Sequence, residues 1–293
     1  MVDLFFLKTF VAVAEHGSFR IAAERNFITQ PAVSQHIRIL EKKFDAVFFE
    51  RQGKKITLTE AGRTFLPYAK GILRQYERAK DHVDETQKKH TGTIYLATIY
   101  SIGLHSLQPK LRLFLKKYPH VHLHLEYWHN NVIYERLLNR SIDFGLVAFP
   151  KKTPGLVRTI FAEEDLVLIQ SADHPVFPGT AAVALKDLHH VDFIAFSQTT
   201  PTGKEIHRML RKNAIVPRIM QEYDNIETLK SAVLLGMGCA IVPKNTVTRE
   251  QKEGALQALP IKPMPLTRSL GILHPEGKVF TKSSRAFYEM MVG

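Results

Sequence analysis

The sequence predicts a mixed fold: an all-α N-terminal part closed by a β-hairpin, a long linker helix, and a two-lobed α/β part. Three observations predict it. Apolar residues recur at helical spacing through the first sixty residues, and a 3.5-residue seam runs on from Glu60. From residue 93 to the end, strand-like and helical patterns alternate. A length of 293 residues fits two or three domains.

The elements follow in order. Leu4, Leu7, Val11 and Ala14 mark one face of a first helix, which Gly17 ends. Ser18 caps a second helix with Phe19, Ala22, Ala23 and Phe27 on one side. After a break at 26–28, Thr29 caps a third, with Pro31 in the first turn, where its missing N–H costs nothing. Val33, Ile37, Leu40 and Phe44 form its buried stripe. Short helices joined by a tight turn, with small alanines at the crossing, are what a helix-turn-helix needs.

The polar face of the third helix carries Gln30, Ser34, Gln35 and Arg38. These side chains have the reach and the donor and acceptor groups to read base edges in a major groove. A solvated surface is the other reading of such a face. The next segment, VFFERQGKKITLT, favours the first reading. It forms two β-like runs around Gln52-Gly53, with Arg51, Lys54 and Lys55 at the tip, where a wing would meet phosphates.

From Glu60 to about residue 88, Phe65, Ala69, Ile72, Tyr76, Ala79 and Val83 are spaced alternately 4 and 3 apart. That is the seam of a helix that pairs with a second copy, with packing against its own chain as the alternative. Pro67 inside the run predicts a local kink. Thr91-Gly92-Thr93 reads as a hinge.

Beyond the hinge, strands are predicted at 94–97, 121–126, 143–148, 165–169, 192–196, 218–222, 239–242 and 269–274. Helices are predicted around Leu104, Leu107, Leu111 and Phe114, and at 131–139, 202–213, 226–235 and 281–291. Such alternation implies parallel sheets covered by helices, and two series imply two lobes joined by crossing strands. The boundaries are 1–59 for the winged helix-turn-helix, 60–90 for the linker and dimerisation helix, and 91–293 for the α/β part. Lobe I takes about 93–162 and 266–293, and lobe II about 163–265.

Composition excludes several classes. At 45% hydrophobic residues the chain is neither disordered nor collagen-like. One cysteine rules out a disulfide scaffold and fits a reducing, cytoplasmic setting. No run of roughly 18 apolar residues spans a membrane, and the N-terminus lacks the basic leader of a signal peptide. The net charge of +12 invites a polyanion. Residues 1–90 hold 16 Lys+Arg against 11 Asp+Glu, so the larger share of the excess lies beyond them.

No enzyme motif stands out, and no catalytic residue or cofactor is assigned. Gly236-Met237-Gly238 lies between a helix and a strand, the reverse of the order a nucleotide fingerprint requires. A solute-binding or enzymatic α/β protein with an incidental helical N-terminus stays as a competing class. His120, His122 and His124 share one face of a strand, but with no accompanying ligand motif no metal site is assigned. Cys239 reads as a core residue.

Residues 18–66 carry Ala22-Ala23, Thr29-Gln30-Pro31-Ala32-Val33-Ser34, Leu40-Glu41, Phe49 with Arg51, Leu58-Thr59 and Ala61-Gly62. On these the chain resembles the LysR-type transcriptional regulators. Phe44-Asp45 stands where that family usually has Leu-Gly, and Asp tolerates the left-handed backbone better than most residues. The resemblance implies that Gln30, Pro31, Ser34 and Gln35 face the major groove and that wing residues meet the backbone. Arg38 is added on helical geometry. It further implies an effector domain similar to periplasmic binding proteins, covering the rest of the chain. The segments LEYWHNNVIYERLLNRSIDFGLVAFP and EYDNIETLKSAVLLGMGCAIVP resemble activators of carbon-fixation operons within the family.

In open α/β sheets a ligand sits beyond the carboxyl ends of strands, where helices begin. Tyr100-Ser101, Asn130-Asn131, Thr199-Thr200-Pro201-Thr202 and Asn225 occupy such places, each with simple helix capping as the alternative. The resemblance implies that Ser101, Thr200, Pro201, Thr202 and Phe149 line the cleft. Lys204, Arg208, Arg211, Lys212 and Arg218 add local positive charge that favours an anionic effector, with a solvated helix face as the alternative. The implied partners are double-stranded DNA, a small-molecule effector, further copies in a homodimer or homotetramer, and RNA polymerase, with no membrane.

Overall fold

The computed structural model describes residues 3–52, 55–84, 90–262 and 266–293, and they fall into two compact units. One holds the residues up to Gly92 together with Leu138–Ser141; the other holds Thr93–Leu137 and Ile142–Gly293. No described helix is long and apolar enough to cross a membrane.

The first unit is built from α1 (Leu4–His16), α2 (Phe19–Asn26), α3 (Gln30–Phe44), β1 (Phe49–Gln52), β2 (Lys55–Leu58) and α4 (Glu60–Asp84). Its caps follow local chemistry. Asp3 accepts from Phe5 N at 2.8 Å, Ser18 from Ile21 N at 3.3 Å and Thr29 from Ala32 N at 3.4 Å. Gly17 and Asp45 close α1 and α3 in the left-handed region, so the turn at Phe44-Asp45 forms without glycine. β1 and β2 pair antiparallel as a hairpin. Gly62 is needed at the start of α4, because a Cβ there would overlap the Phe48 carbonyl oxygen.

Three expectations fail in this unit. The buried stripe of α1 is Leu7, Phe10 and Val13 rather than Leu4, Leu7, Val11 and Ala14, because α2, α3 and α4 cover α1 from more than one side. Phe27 leaves the apolar face of α2 altogether. It is the left-handed C-cap, and its side chain is 95% exposed. Phe44 is half exposed at the end of α3, its ring 4.6 Å from that of Phe65. Apart from these three, Pro67 lies inside α4, which continues as helix on both sides of it.

The second unit contains β3 (Thr93–Thr98), a π-helical turn (Ile102–Ser106), α5 (Gln108–Lys117), β4 (His122–Tyr127), α6 (Asn130–Leu138), β5 (Phe144–Ala148) and β6 (Leu156–Ser171). There follow β7 (Val183–Ala184), β8 (Asp192–Phe196), α7 (Pro201–Lys212), β9 (Arg218–Tyr223), α8 (Ile226–Leu234) and β10 (Ala240–Pro243). A 3-10 turn (Lys244–Val247), α9 (Thr248–Lys252), β11 (Leu256–Leu259), β12 (Ile261–Lys262), β13 (Leu266–Pro275) and α10 (Lys282–Val292) complete it.

Two lobes result, each around its own apolar core. One core gathers Leu96, Phe114, Phe144, Leu270 and Phe287; the other gathers Leu168, Phe193, Ile206, Leu229 and Ile241. β3 pairs parallel with β4 and β5, and β8 pairs parallel with β9, as the alternation predicts. The crossing strands do not obey it. β13 pairs antiparallel with both β5 and β6, and β10 and β11 pair antiparallel with β6. A strand that returns from the far lobe enters the sheet in the opposite sense. The sequence pattern picks out only the buried half of β6, since its first nine residues are exposed or half-buried, Glu164 apart, and lack the continuous apolar run.

Candidate functional site

In the N-terminal unit, Val33, Ile37 and Leu40 of α3 are buried, which leaves Gln30, Pro31, Gln35 and Arg38 exposed and Ser34 half-buried. Gln30, Ser34 and Arg38, spaced four apart, line one groove with Ser18 and Arg20 at the start of α2 and Phe49 and Ile56 of the hairpin. Pro31 and Gln35 lie outside that lining. Arg51 and Lys55 sit on β1 and β2; their side chains, like Lys54 as a whole, lie outside the described residues.

The sequence pattern does not single out Ser18 and Arg20 as groove residues. Arg20 is steered by Glu24 one turn along, at 2.7 Å. His36, next to Gln35, turns inward. Its Nδ1 lies 3.0 Å from Thr9 Oγ1, and the Phe5 and Phe6 rings pack on it. Burial pulls its pKa below the usual histidine value, with Asp3 opposing. α3 is thereby fixed to α1, and the wing is tied to α3 through Glu41 Oε1, which accepts from Phe48 N at 2.8 Å. Along α4, Phe65 and Ala69 pack into the core, while Ile72, Tyr76 and Val83 are 45–68% exposed.

In the α/β unit, a cleft between the lobes is lined by Tyr100, Ser101, Trp128, His129 and Asn130 from one side and Thr199, Thr200, Pro201, Thr202 and Asp224 from the other. Its floor is a buried network. Arg268 of β13 is fully buried and bonds Glu164 of β6, with Nε 2.8 Å from Oε2. Its Nη1 also donates to Ser101 Oγ at 3.0 Å and to Thr202 Oγ1 at 3.5 Å, one residue from each lobe. Burial draws the guanidinium pKa down while the Glu164 carboxylate opposes it, and an arginine stays charged.

The sequence-predicted residues divide clearly. Tyr100, Ser101, Asn130, Thr200, Pro201 and Thr202 meet in the cleft. Asn130 Oδ1 is buried there with no hydrogen-bond partner among the described residues. Thr200 also caps α7 by accepting from Gly203 N at 3.0 Å, so capping and lining coincide. Ser101 caps nothing. Asn131 and Phe149 line a wider adjoining cavity with Tyr134, Lys151 and Lys204. Asn225 is a helix cap, accepting from Glu227 N at 2.8 Å, and its neighbours Asp224 and Ile226 line the cleft instead. The enclosed volume of the cleft is about 40 Å³, space for one or two waters, against about 680 Å³ in the adjoining cavity.

Trp128, His129, Arg268 and Glu164 are missed by sequence reasoning. His129 Nε2 reaches across to Asp224 Oδ2 at 3.6 Å. Trp128 is held by its Nε1 donating to Glu126 at 2.7 Å and by Arg136 over its ring. Tyr100 stacks on Tyr127, whose hydroxyl is pushed up in pKa by burial and by Tyr100. Of the cations thought to bias the cleft, Arg208 pairs with Glu205 and Arg218 with Asp192. Cys239 is fully buried, and burial pushes its thiol up to about 12. His122 and His124 share the exposed face of β4, where His124 Nε2 lies 2.9 Å from Glu126 Oε1.

Residues 4–63 match the bacterial regulatory helix-turn-helix proteins of the lysR family, and residues 87–293 match the LysR substrate binding domain. The chain belongs to the LysR family. This LysR-family chain is 30% identical over 290 residues to a probable RuBisCO transcriptional regulator of Thalassiosira pseudonana, covering 96% of this chain and 94% of that one. The crystal structure of full-length CbnR complexed with its target DNA superposes with a TM-score of 0.79 at 25% identity, covering 99% and 98%. The CcmR regulatory domain of Synechocystis PCC6803 in complex with 2-PG shares the fold of the α/β unit, with a TM-score of 0.62 at 23% identity over 69% and 96%. A family of transcriptional regulators, rather than of enzymes, is thus where the chain stands.

Proposed function

We propose that this LysR-family regulator works in the cytoplasm and is gated by a small anionic effector held between its lobes. Residues 1–59 bind double-stranded DNA, with Gln30, Pro31, Ser34, Gln35 and Arg38 at base edges and Arg51, Lys54 and Lys55 at phosphates. Residues 60–90 pair copies into a homodimer or homotetramer, which the exposed Ile72, Tyr76 and Val83 support. Residues 91–293 bind the effector between lobe I (about 93–162 and 266–293) and lobe II (about 163–265). RNA polymerase is the further partner of the DNA-bound form.

The observation that carries the gating is Arg268. It holds Ser101 of one lobe and Thr202 of the other, so a ligand that takes either hydroxyl bears on both lobes. Lys151 and Lys204 at the outer cavity support an anion. The nearly closed cleft implies that the lobes part to admit it. Relatives named as RuBisCO regulators, and a like fold in complex with 2-PG, support carbon-fixation genes as targets and a small acid as effector.

The test is retention of the chain's own upstream DNA by the full protein, with melting followed in parallel, across a set of carboxylate and phosphate metabolites. One metabolite is expected to raise the melting temperature and alter retention, because a ligand specific to the folded state must stabilise it. Indifference of binding to DNA sequence sinks the regulator reading. Silence of every metabolite in both assays sinks the gating.

A further inference from the structure

The groove beside α3 has a second helical wall. Gln30, Ser34 and Arg38 line it from α3 and Arg20 lines it from the start of α2, with the hairpin as a further side. Its volume is about 450 Å³. The charged residues facing it are Arg20 and Arg38 against Glu41 and Glu50. Glu41 is taken up by the Phe48 N–H, the bond that ties the wing to α3.

The Arg20 side chain is 72% exposed, yet it is aimed. Its Nη1 donates to Glu24 Oε1 at 2.7 Å, one turn further along α2 and outside the groove lining. The other edge of the guanidinium, Nε with Nη2, makes no hydrogen bond among the described residues. An exposed pair at this spacing adds little stability, so Glu24 orients the side chain without consuming it. The free edge is a fork of two parallel donors, the shape with which arginine takes two oxygens of one phosphate. Arg20 is also the second residue of α2, where the first N–H groups lack partners within the helix and the helix end is positive. Side chain and backbone favour an anion at the same place.

We propose that Arg20 is a phosphate contact of the DNA-bound protein, its Nε and Nη2 edge taking one backbone phosphate beside the base edges that α3 reads. Base edges in a major groove are flanked by the phosphates of both strands, so a cation on the wall next to the reading helix meets backbone rather than bases. The contact sets the position of the duplex against α3 and carries no sequence information of its own. It rests on α3 as the reading helix and extends the DNA-facing surface to α2.

The test is retention of the chain's own upstream DNA and of an unrelated duplex by the full chain over a range of salt, with thermal unfolding used to check that each variant is folded. In Arg20→Ala, binding to both duplexes is expected to weaken several-fold in equal measure, and the slope of log affinity against log salt to flatten by about 0.9. Arg20→Lys, which keeps the charge, is expected to restore the slope. Arg25→Ala, which removes the same charge from the exposed last turn of α2 outside the groove lining, is expected to leave the slope as it was. Equal flattening by Arg20→Ala and Arg25→Ala, meaning general charge, overturns the contact. So do loss confined to the upstream DNA, which is the mark of a base contact, and failure of Arg20→Lys to restore the slope. An unchanged slope in Arg20→Ala removes the contact alone, whereas an unaltered chain that shows no preference for its upstream DNA removes the reading of α3 and this contact with it.

Discussion

The two units bury different things. In the N-terminal unit, Thr9 is the sole polar residue buried among the described ones up to Gly92, and the core is a nest of rings. Phe10 lies 5.1–5.3 Å from Phe48, Phe49 and Phe65, and Phe48 stacks on Phe65 at 4.7 Å. Among its described residues the α/β unit buries three ion pairs: Arg268 with Glu164, Lys230 with Glu250, and Lys278 with Asp143. Apolar packing has no directional partner and sets one compact arrangement. A buried charge depends on a particular set of partners, and breaking one bond in the set carries a large penalty. The unit that presents α3 is locked by shape, and the unit with the cleft is held by bonds that a ligand can replace.

The largest test breaks the second half of that comparison. Arg268→Ala strands the Glu164 carboxylate in the interior and is expected to cost about 3–5 kcal/mol, read as a lowered denaturant midpoint of the α/β unit. Arg268→Met with Glu164→Leu recovers most of that loss while removing the link between Ser101 and Thr202. The ring core is next: Phe10→Ala opens a cavity and costs about 3 kcal/mol in the helical unit, followed by the same denaturation. Gln30→Ala leaves folding intact and weakens binding to the cognate site by about 1–3 kcal/mol, with little change on unrelated DNA, in a retention assay at fixed salt. Phe27→Asn gains about 1 kcal/mol in thermal unfolding, since Asn suits the left-handed backbone and the Phe ring buries nothing.

The smallest effect is with pH. Burial, chiefly, lowers the pKa of His274 among the Phe144, Phe280 and Tyr288 rings, below its ordinary 6.5. The folded state therefore binds fewer protons than the unfolded one. Its stability is full above pH 6.5 and declines as pH falls through that value toward the folded pKa. His274→Phe flattens this acid limb in melts of the α/β unit, and an unchanged slope removes His274 from the account.

Much of the cleft was legible because helix starts announce themselves. Ser, Thr and Asn at strand-to-helix turns pointed to Ser101, Asn130, Thr200 and Thr202. Asn225 carries the same signal and only caps, since the same chemistry serves both roles. Arg268 and Glu164 were illegible. They are 104 residues apart, and a charged residue in a strand pattern looks like an exposed edge until the partner strand is known. Phe27 and Phe44 failed for the opposite reason. Helical spacing extends a face past the point where the helix stops, and both residues sit at that end.

The sequence by itself determined the caps, the helix-turn-helix and its hairpin, the two lobes and the polar face of α3. Each rests on residues close together in the chain, where backbone geometry and spacing decide the outcome. Only the tertiary structure decided the antiparallel crossing of β6 and β13, the burial phase of α1, and the ion pair on the floor of the cleft. Those depend on which surfaces meet, and a buried Arg268 is stable only because distant strands bring Glu164, Ser101 and Thr202 to it.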